Sequence, residues 1–276
     1  MSVIHPELHY YHLGEGVTAF SSTRHGGYSQ GRYGEFNINR YCGDSEEAIS
    51  QNRDALCSLL GIGDNRLLMP HQVHLTEIAI VDEELLGLPT EEQLQKLDGI
   101  DALMTNVKGV CIGVSTADCI PVLLYDRKNH AVCAIHAGWR GTVKRIVEKT
   151  VAKMTDAYGI NPSDLTAQIG PGISLDSFEV GDEVYDAFAN EGFEMESISR
   201  KYSCNSKPFT PHSSPFTSKW HIDLPECNRQ QLMNAGIPAE HIAVSTVCTF
   251  KHSDTYFSAR RLGINSGRIF TGILLL

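Results

Sequence analysis

No stretch of this 276-residue chain approaches the ~18 consecutive apolar residues of a membrane-spanning helix, so no membrane role is expected. Basic residues are in the minority: 23 Lys and Arg against 33 Asp and Glu leave a formal net charge of −10. Phosphate backbones need a basic face, so nucleic acid is not expected as the main partner. Cys-x-x-Cys pairs are absent, which removes a zinc ribbon. The eight cysteines lack regular close spacing and read as reduced thiols of a cytoplasmic protein, not as a disulfide framework. The opening MSVIHPELHYYHLGEG has neither a basic segment nor an apolar one after it, so no secretory leader is expected. Internal repeats and a dividing linker are also missing, and residues 1–276 are expected to form one domain. What remains is an ordinary globular balance, 42% hydrophobic and 20% charged, with an unusual 12 histidines to account for.

The chain is organised around Val110–Thr142, VCIGVSTADCIPVLLYDRKNHAVCAIHAGWRGT. Cys111–Ser115, Ile120–Tyr125 and Ala131–Ile135 are short apolar runs, and Asp126-Arg127-Lys128-Asn129 between the last two is turn chemistry. Ile120–Ile135 therefore reads as a β-hairpin. With Arg127-Lys128 as a two-residue loop, Cys119 stands opposite His136; a three-residue loop puts it opposite Ala137, still beside His136. Opposed residues lie about 4.5–5.5 Å apart at Cβ, close enough to share a metal ion or a proton.

Val17–Ser21 is an expected strand, leading into a glycine turn at Thr23–Gly27 and a second extended piece at Phe36–Asn39. The plainer reading of Gly26-Gly27 is a turn; the functional one is an anion loop with Arg24. Asp44 is the expected acidic cap of a helix with Ala48, Ala55, Leu56, Leu59 and Leu60 as its buried stripe, ended by Gly61. Asn52-Arg53 on that helix reads as a surface pair. If His71–His74 is extended, its two histidines point to opposite faces and do not share a site. Further expectations are strands at Ile78–Val81, Leu165–Ile169, Ile242–Val247 and Arg268–Leu276. Helices are expected near Glu91–Leu97, from Thr142 to about Tyr158, at Asp182–Ala189 and from Asp223 to Gly236. Residues 197–219, rich in Ser and Pro, read as one long loop.

Three chemistries suit a cysteine facing a histidine. A thiolate and two imidazoles leave tetrahedral zinc an open position, the pattern of a catalytic site, with His71 or His74 as third ligand. Alternatively Cys119 is a nucleophile, His136 its base, and Asp118 or another acid the orienting group. The plain reading is a buried thiol and a satisfied core histidine.

Several segments together resemble one family. They are Ser22-Thr23-Arg24-x-Gly26-Gly27-x-Ser29, Asn52-Arg53, Gln72-Val73-His74, Ala117-Asp118-Cys119-x-Pro121 and Ile135–Gly141. In matching order follow Ile169–Ile173, Phe178-Glu179-Val180, Cys248-Thr249 and Phe257–Arg261. The family is the laccase-domain group, long labelled multicopper polyphenol oxidases and now regarded as purine nucleoside phosphorylases. The resemblance implies an α+β fold, a single layered domain with mixed β-sheet covered by helices, also seen in some thiol-dependent deamidating toxins. It implies a zinc site at His74, Cys119 and His136. Implied substrates are adenosine, inosine, guanosine and methylthioadenosine, cleaved with phosphate, with adenosine deamination as a second reaction and a monomer or homodimer as the assembly. Asp118, Glu179 and Arg140 are the expected catalytic residues, and Arg24, Gln72 and Arg260 the expected substrate and phosphate binders. Arg24, Arg140 and Arg260 suit phosphate by charge and bidentate geometry. The rival reading is a copper polyphenol oxidase, since thiolate and imidazole also accept copper. The paired His-x-His segments of multicopper oxidases are absent: the closest histidines, His9/His12 and His71/His74, are three apart.

Overall fold

The structure, a computed structural model, describes residues 5–203 and 218–276. Its strands begin with β1 (Leu8–Tyr11), β2 (Val17–Ser22), β3 (Leu67–Leu68), β4 (Ile78–Ile80) and β5 (Ala102–Thr105). They continue with β6 (Cys111–Thr116), β7 (Ile120–Asp126), β8 (Ala131–Ala137), β9 (Leu165–Ile169) and β10 (Glu179–Val180). The last are β11 (Ser199–Ser203), β12 (Ser218–Ile222), β13 (Ile242–Val244) and β14 (Ile269–Leu275). Helices are α1 (Glu46–Leu60), α2 (Glu83–Gly87), α3 (Thr90–Lys96), α4 (Trp139–Val143) and α5 (Ile146–Tyr158). After them come α6 (Asp182–Asn190), α7 (Met195–Ile198), α8 (Leu224–Asn234) and α9 (Ala259–Leu262).

Side-chain alternation along the strands sorts the apolar residues into layers. A five-stranded sheet runs β1-β2-β14-β6-β3 and a six-stranded one β13-β9-β7-β8-β5-β4. Even-numbered residues of β8, Val132 and Ala134, join Leu123 and Tyr125 of β7 and Ile112 and Val114 of β6 in a layer between the sheets. Odd-numbered Ala131, Cys133 and Ile135 face the opposite way, packing with Ile146, Val147, Val151 and Met154 of α5. On the outer side of the five-stranded sheet, Phe20, Cys111 and Phe270 pack with Leu56 and Cys57 of α1. The result is the expected α+β layering of mixed sheets covered by helices. His136 and Cys119 carry the inter-sheet parity, so both fall where that layer runs out of apolar residues.

Several expectations are corrected. In the hairpin Asp126 pairs with Ala131 and Pro121 with His136, so Cys119 is diagonal to His136 rather than opposite it. The cause is Asp126, fully buried, whose carboxylate accepts the amides of Lys128 and Asn129 and the Asn129 side chain, closing a four-residue loop. A slip of two residues keeps every side chain on its face, and so the pairing of chemistry survives. Ser45, not Asp44, caps α1; Asp44 accepts from Ser29 and Asn37 instead. Along α1 Leu59 is exposed, while Ile49, Asn52 and Arg53 are buried. Asn52-Arg53 is thus no surface pair. Asn52 binds the Tyr28 amide and the Asn37 carbonyl, and Arg53 binds Asp64 and the Leu67 carbonyl.

Phe36–Asn39 is buried but joins no strand. The helix expected up to Tyr158 is two pieces, broken at Arg145, which adopts φ 62° while its guanidinium lies over the Phe193 ring. Residues 199–203 and 218–222 are paired strands, not loop. The middle of that expected loop, 204–217, lies outside the described residues. Gly26-Gly27 is a turn forced by close approach, since a Cβ on Gly26 would sit 2.1 Å from the His5 carbonyl. Its amide does receive an anion, but from within the chain: the Glu35 carboxylate, at 2.8 Å.

Candidate metal centre and active site

Three separate pieces of backbone deliver the central residues. His136 is the last but one residue of β8; Cys119 precedes β7, turned in by Asp118 at φ 85°; His74 lies in the connection between β3 and β4 at φ 63°. The ligand-capable atoms of His74, Cys119 and His136 all lie within 4.8 Å of one another. Among the described residues no other His, Cys, Asp or Glu group of three or more gathers this way. His136 is buried, Cys119 half-buried and His74 exposed. The two rings meet edge to face, with centroids 4.7 Å apart.

One carboxylate positions two of these residues. Asp101, fully buried before β5, accepts His136 Nδ1 at 2.7 Å and the backbone amides of His74 and Leu75 at 3.0 and 2.7 Å. That grip bends the 73–75 segment away from extended geometry. His71 and His74 consequently line the same cavity, contrary to the extended-chain expectation. Gln72 secures the segment from the other side, donating to the Ser115 carbonyl and accepting its amide. Gly138 completes the cradle: a Cβ there would lie 2.9 Å from His74 Cδ2 and 3.1 Å from Cys119 Sγ.

Burial alone would raise the Cys119 thiol, but His136 and His74 together pull it below its ordinary range. Burial likewise disfavours His136 as a cation, yet Cys119 and then Asp101 raise it. Each partner thus favours the charged form of the other. Asp101 is pushed up by burial and, more strongly, held down by its bonds to His136 and the amides. With Nδ1 committed to Asp101, Nε2 of His136 is left for a metal. One thiolate and two imidazoles form a donor set that fits zinc and also copper.

The surrounding cavity measures about 620 Å³, within the usual range for small-molecule sites. The family described as multi-copper polyphenol oxidoreductase laccase matches residues 18–276. The chain belongs to that family. It is 43% identical over 260 residues to a purine nucleoside phosphorylase of Bacteroides thetaiotaomicron, covering 94% of this chain and 92% of that one. It is 42% identical over 261 residues to adenosine deaminase RL5 from an unknown prokaryotic organism, covering 94% of both. The crystal structure of YlmD from Geobacillus stearothermophilus superposes with a TM-score of 0.81 at 30% identity, over 96% of this chain and 94% of that chain.

Within this laccase-family cavity the sequence-expected residues divide. Gln72, Asp118 and Arg260 line it; Arg24, Arg140 and Glu179 do not. Asp118 accepts Thr249 Oγ1 and the Arg260 amide, one on each carboxylate oxygen. Arg260 donates both terminal nitrogens to the Glu179 carbonyl and lies over Phe178. Arg24 donates to the carbonyls of Gly34 and Ser253, and Arg140 stacks over Trp139. Asp101 was not among the expected residues, although a ligating histidine needs an acceptor on its second nitrogen. Tyr41 and His71, stacked with centroids 4.1 Å apart in the cavity wall, were also missed as a unit. Among the described residues no helix is long and apolar enough to cross a membrane.

Proposed function

We propose that this chain is a zinc-dependent purine nucleoside phosphorylase acting on adenosine, inosine, guanosine and methylthioadenosine, with adenosine deamination as a second reaction. One observation carries the reading: the His74–Cys119–His136 cluster opens into a cavity of about 620 Å³ walled by Tyr41, Trp139, Phe178 and Arg260. That space suits a nucleoside, with aromatic faces for the base and a cation for phosphate. The named relatives, a phosphorylase and a deaminase, support the same chemistry.

His74, Cys119 and His136 would hold zinc, which supplies Lewis acidity and lowers the pKa of water to about 7, as deamination requires. Asp101 orients His136 and fixes the His74 backbone. We assign phosphate binding to Arg260, held in place by the Glu179 carbonyl and, at its amide, by Asp118. Asp118 and Gln72 face the substrate side of the cavity; Arg140 supports it by backing Trp139. Arg24 ties the Ser253 loop to Gly34 and stands outside the cavity lining. We take residues 1–276 as one functional domain, because the cavity draws on segments from Asn39 to Arg268.

Incubation of purified protein with inosine, with and without phosphate, tests the reading by hypoxanthine release. Release that requires phosphate is the expected outcome; release without it would mean a hydrolase. A copper polyphenol oxidase is the second reading, favoured by the family's description. Against it, the described residues gather a single three-donor cluster rather than the several a multicopper centre needs. No hypoxanthine, with strong copper-dependent phenol oxidation, would establish that reading. A Cys119 hydrolase ranks third, with Asp101 rather than Asp118 orienting His136. Cys119→Ser, assayed for metal content and for turnover, separates ligand from nucleophile.

A further inference from the structure

Phosphorolysis, if that reading holds, leaves one task without a residue. A purine departs poorly as an anion, so a group in the cavity must give it a proton. His74, Cys119 and His136 are committed to the metal. Both oxygens of Asp118 accept hydrogen bonds from the protein, which makes it an anchor and not a donor. Glu179 lies outside the cavity lining. Burial pushes the Tyr41 phenol and the Cys42 thiol up, so each holds its proton tightly, and the Cys42 thiol already donates to the Asn39 carbonyl.

Arg260 and Arg268 also line the cavity, but a guanidinium does not give up its proton, and His71 is the side chain that remains. It lines the cavity, its Nδ1 is bonded to Asp98 Oδ1 at 2.5 Å, and its ring is stacked 24° from parallel on Tyr41. Nε2 has no protein partner among the described residues. A carboxylate on one nitrogen and a vacant second nitrogen make the arrangement that orients a histidine for proton transfer. The Tyr41 ring holds the imidazole plane on its other side. We propose that His71 is the general acid that protonates the leaving purine.

In that step the C1′–N9 bond breaks and its electron pair goes to the purine. The Nε2 proton of His71 passes to purine N7, giving the neutral base. A phosphate oxygen bonds C1′, and the proton that hydrogen phosphate gives up restores His71. Base and ribose 1-phosphate are the products, with no other reactant consumed. Asp98 is the positioning residue.

The test compares two leaving groups. For His71→Gln, kcat for inosine with phosphate should fall by about 10²–10⁴-fold. Phosphorolysis of 4-nitrophenyl β-D-riboside, whose leaving group departs without protonation, should stay within about threefold of the parent protein. Zinc content and melting temperature should be unchanged, which excludes damage to the metal cluster or the fold. Asp98→Asn should show the same pattern at a smaller size. Undiminished inosine turnover by His71→Gln, or equal losses on both substrates, would overturn the proposal while leaving the phosphorylase reading standing. A parent protein that cleaves neither substrate with phosphate would overturn both.

Discussion

Cys119 and Cys133 belong to one hairpin and have opposite chemistry. Cys133 sits mid-strand on the helix side of the six-stranded sheet, fully buried among apolar residues, and burial pushes its thiol up. Cys119 stands at the open end, where burial is outweighed by two imidazoles and the thiol is pulled down. The difference comes from strand parity and position along the strand, not from residue type. The inter-sheet layer is filled by apolar side chains until it reaches Cys119 and His136, and there the apolar supply stops.

The strongest way to break the contrast is to exchange the two thiols for hydroxyls. Cys119→Ser should lose nearly all of about one bound zinc per chain, measured by elemental analysis, together with phosphorolysis. Cys133→Ser should keep both, and lose about 1–3 kcal/mol of stability in a denaturant melt, because it buries a hydroxyl among apolar side chains. Retained zinc in the first variant would remove the metal cluster.

The cradle offers a smaller and sharper test. Gly138→Ala places a Cβ within 2.9 Å of His74 Cδ2 and 3.1 Å of Cys119 Sγ, pushing the two side chains apart without altering any donor. Zinc affinity by chelator competition should drop by about tenfold or more, as overpacking typically costs about 1–3 kcal/mol. Asp101→Asn keeps an acceptor for His136 and removes one for the amides of the His74 segment. Its expected loss is about 10–100-fold in zinc affinity, the usual range for an orienting partner.

Alkylation reads the contrast through pH. In metal-free protein Cys119 should react with iodoacetamide as thiolate, at a rate that holds across neutral pH and falls only as the solution becomes acidic. That sign follows from a lowered thiol: the charged form is lost as pH falls through the depressed value. Cys133 and Cys111, both pushed up by burial, should stay unmodified in the native state. Protection of Cys119 by added zinc completes the comparison. The smallest expected effect lies farthest away: Asn52→Ala should cost about 1–3 kcal/mol through the backbone groups it leaves unpaired, with zinc affinity unchanged.

Much of the fold around the cluster is legible in the order of residues. The strands Val17–Ser22, Cys111–Thr116, Ile120–Asp126 and Ala131–Ala137 follow from runs of β-forming residues between turn signals. The Cys119–His136 neighbourhood is legible because a hairpin is a local object and parity is robust to a slip of two. The loop length is not, since it depends on Asp126 being buried and needing partners. Neither is Asp101: its place beside His136 follows from β5 pairing with β8, with Ala102 opposite Ile135, and strand order is a long-range choice. Arg24 and Arg140 look like phosphate binders in a string of letters, because charge is visible there and a place outside the cavity lining is not.

The sequence by itself determined which residue types are available, the alternation that assigns them to faces, and the hairpin that brings a thiol near an imidazole. Those rest on local geometry with a period of two residues. Tertiary structure alone decided that His74 turns toward Cys119 and His136, that one buried carboxylate holds it and His136 together, and that Tyr41, His71 and Asp98 meet across the cavity wall. Such meetings depend on how sheets stack and which strands become neighbours, and that is set by the burial of the whole chain.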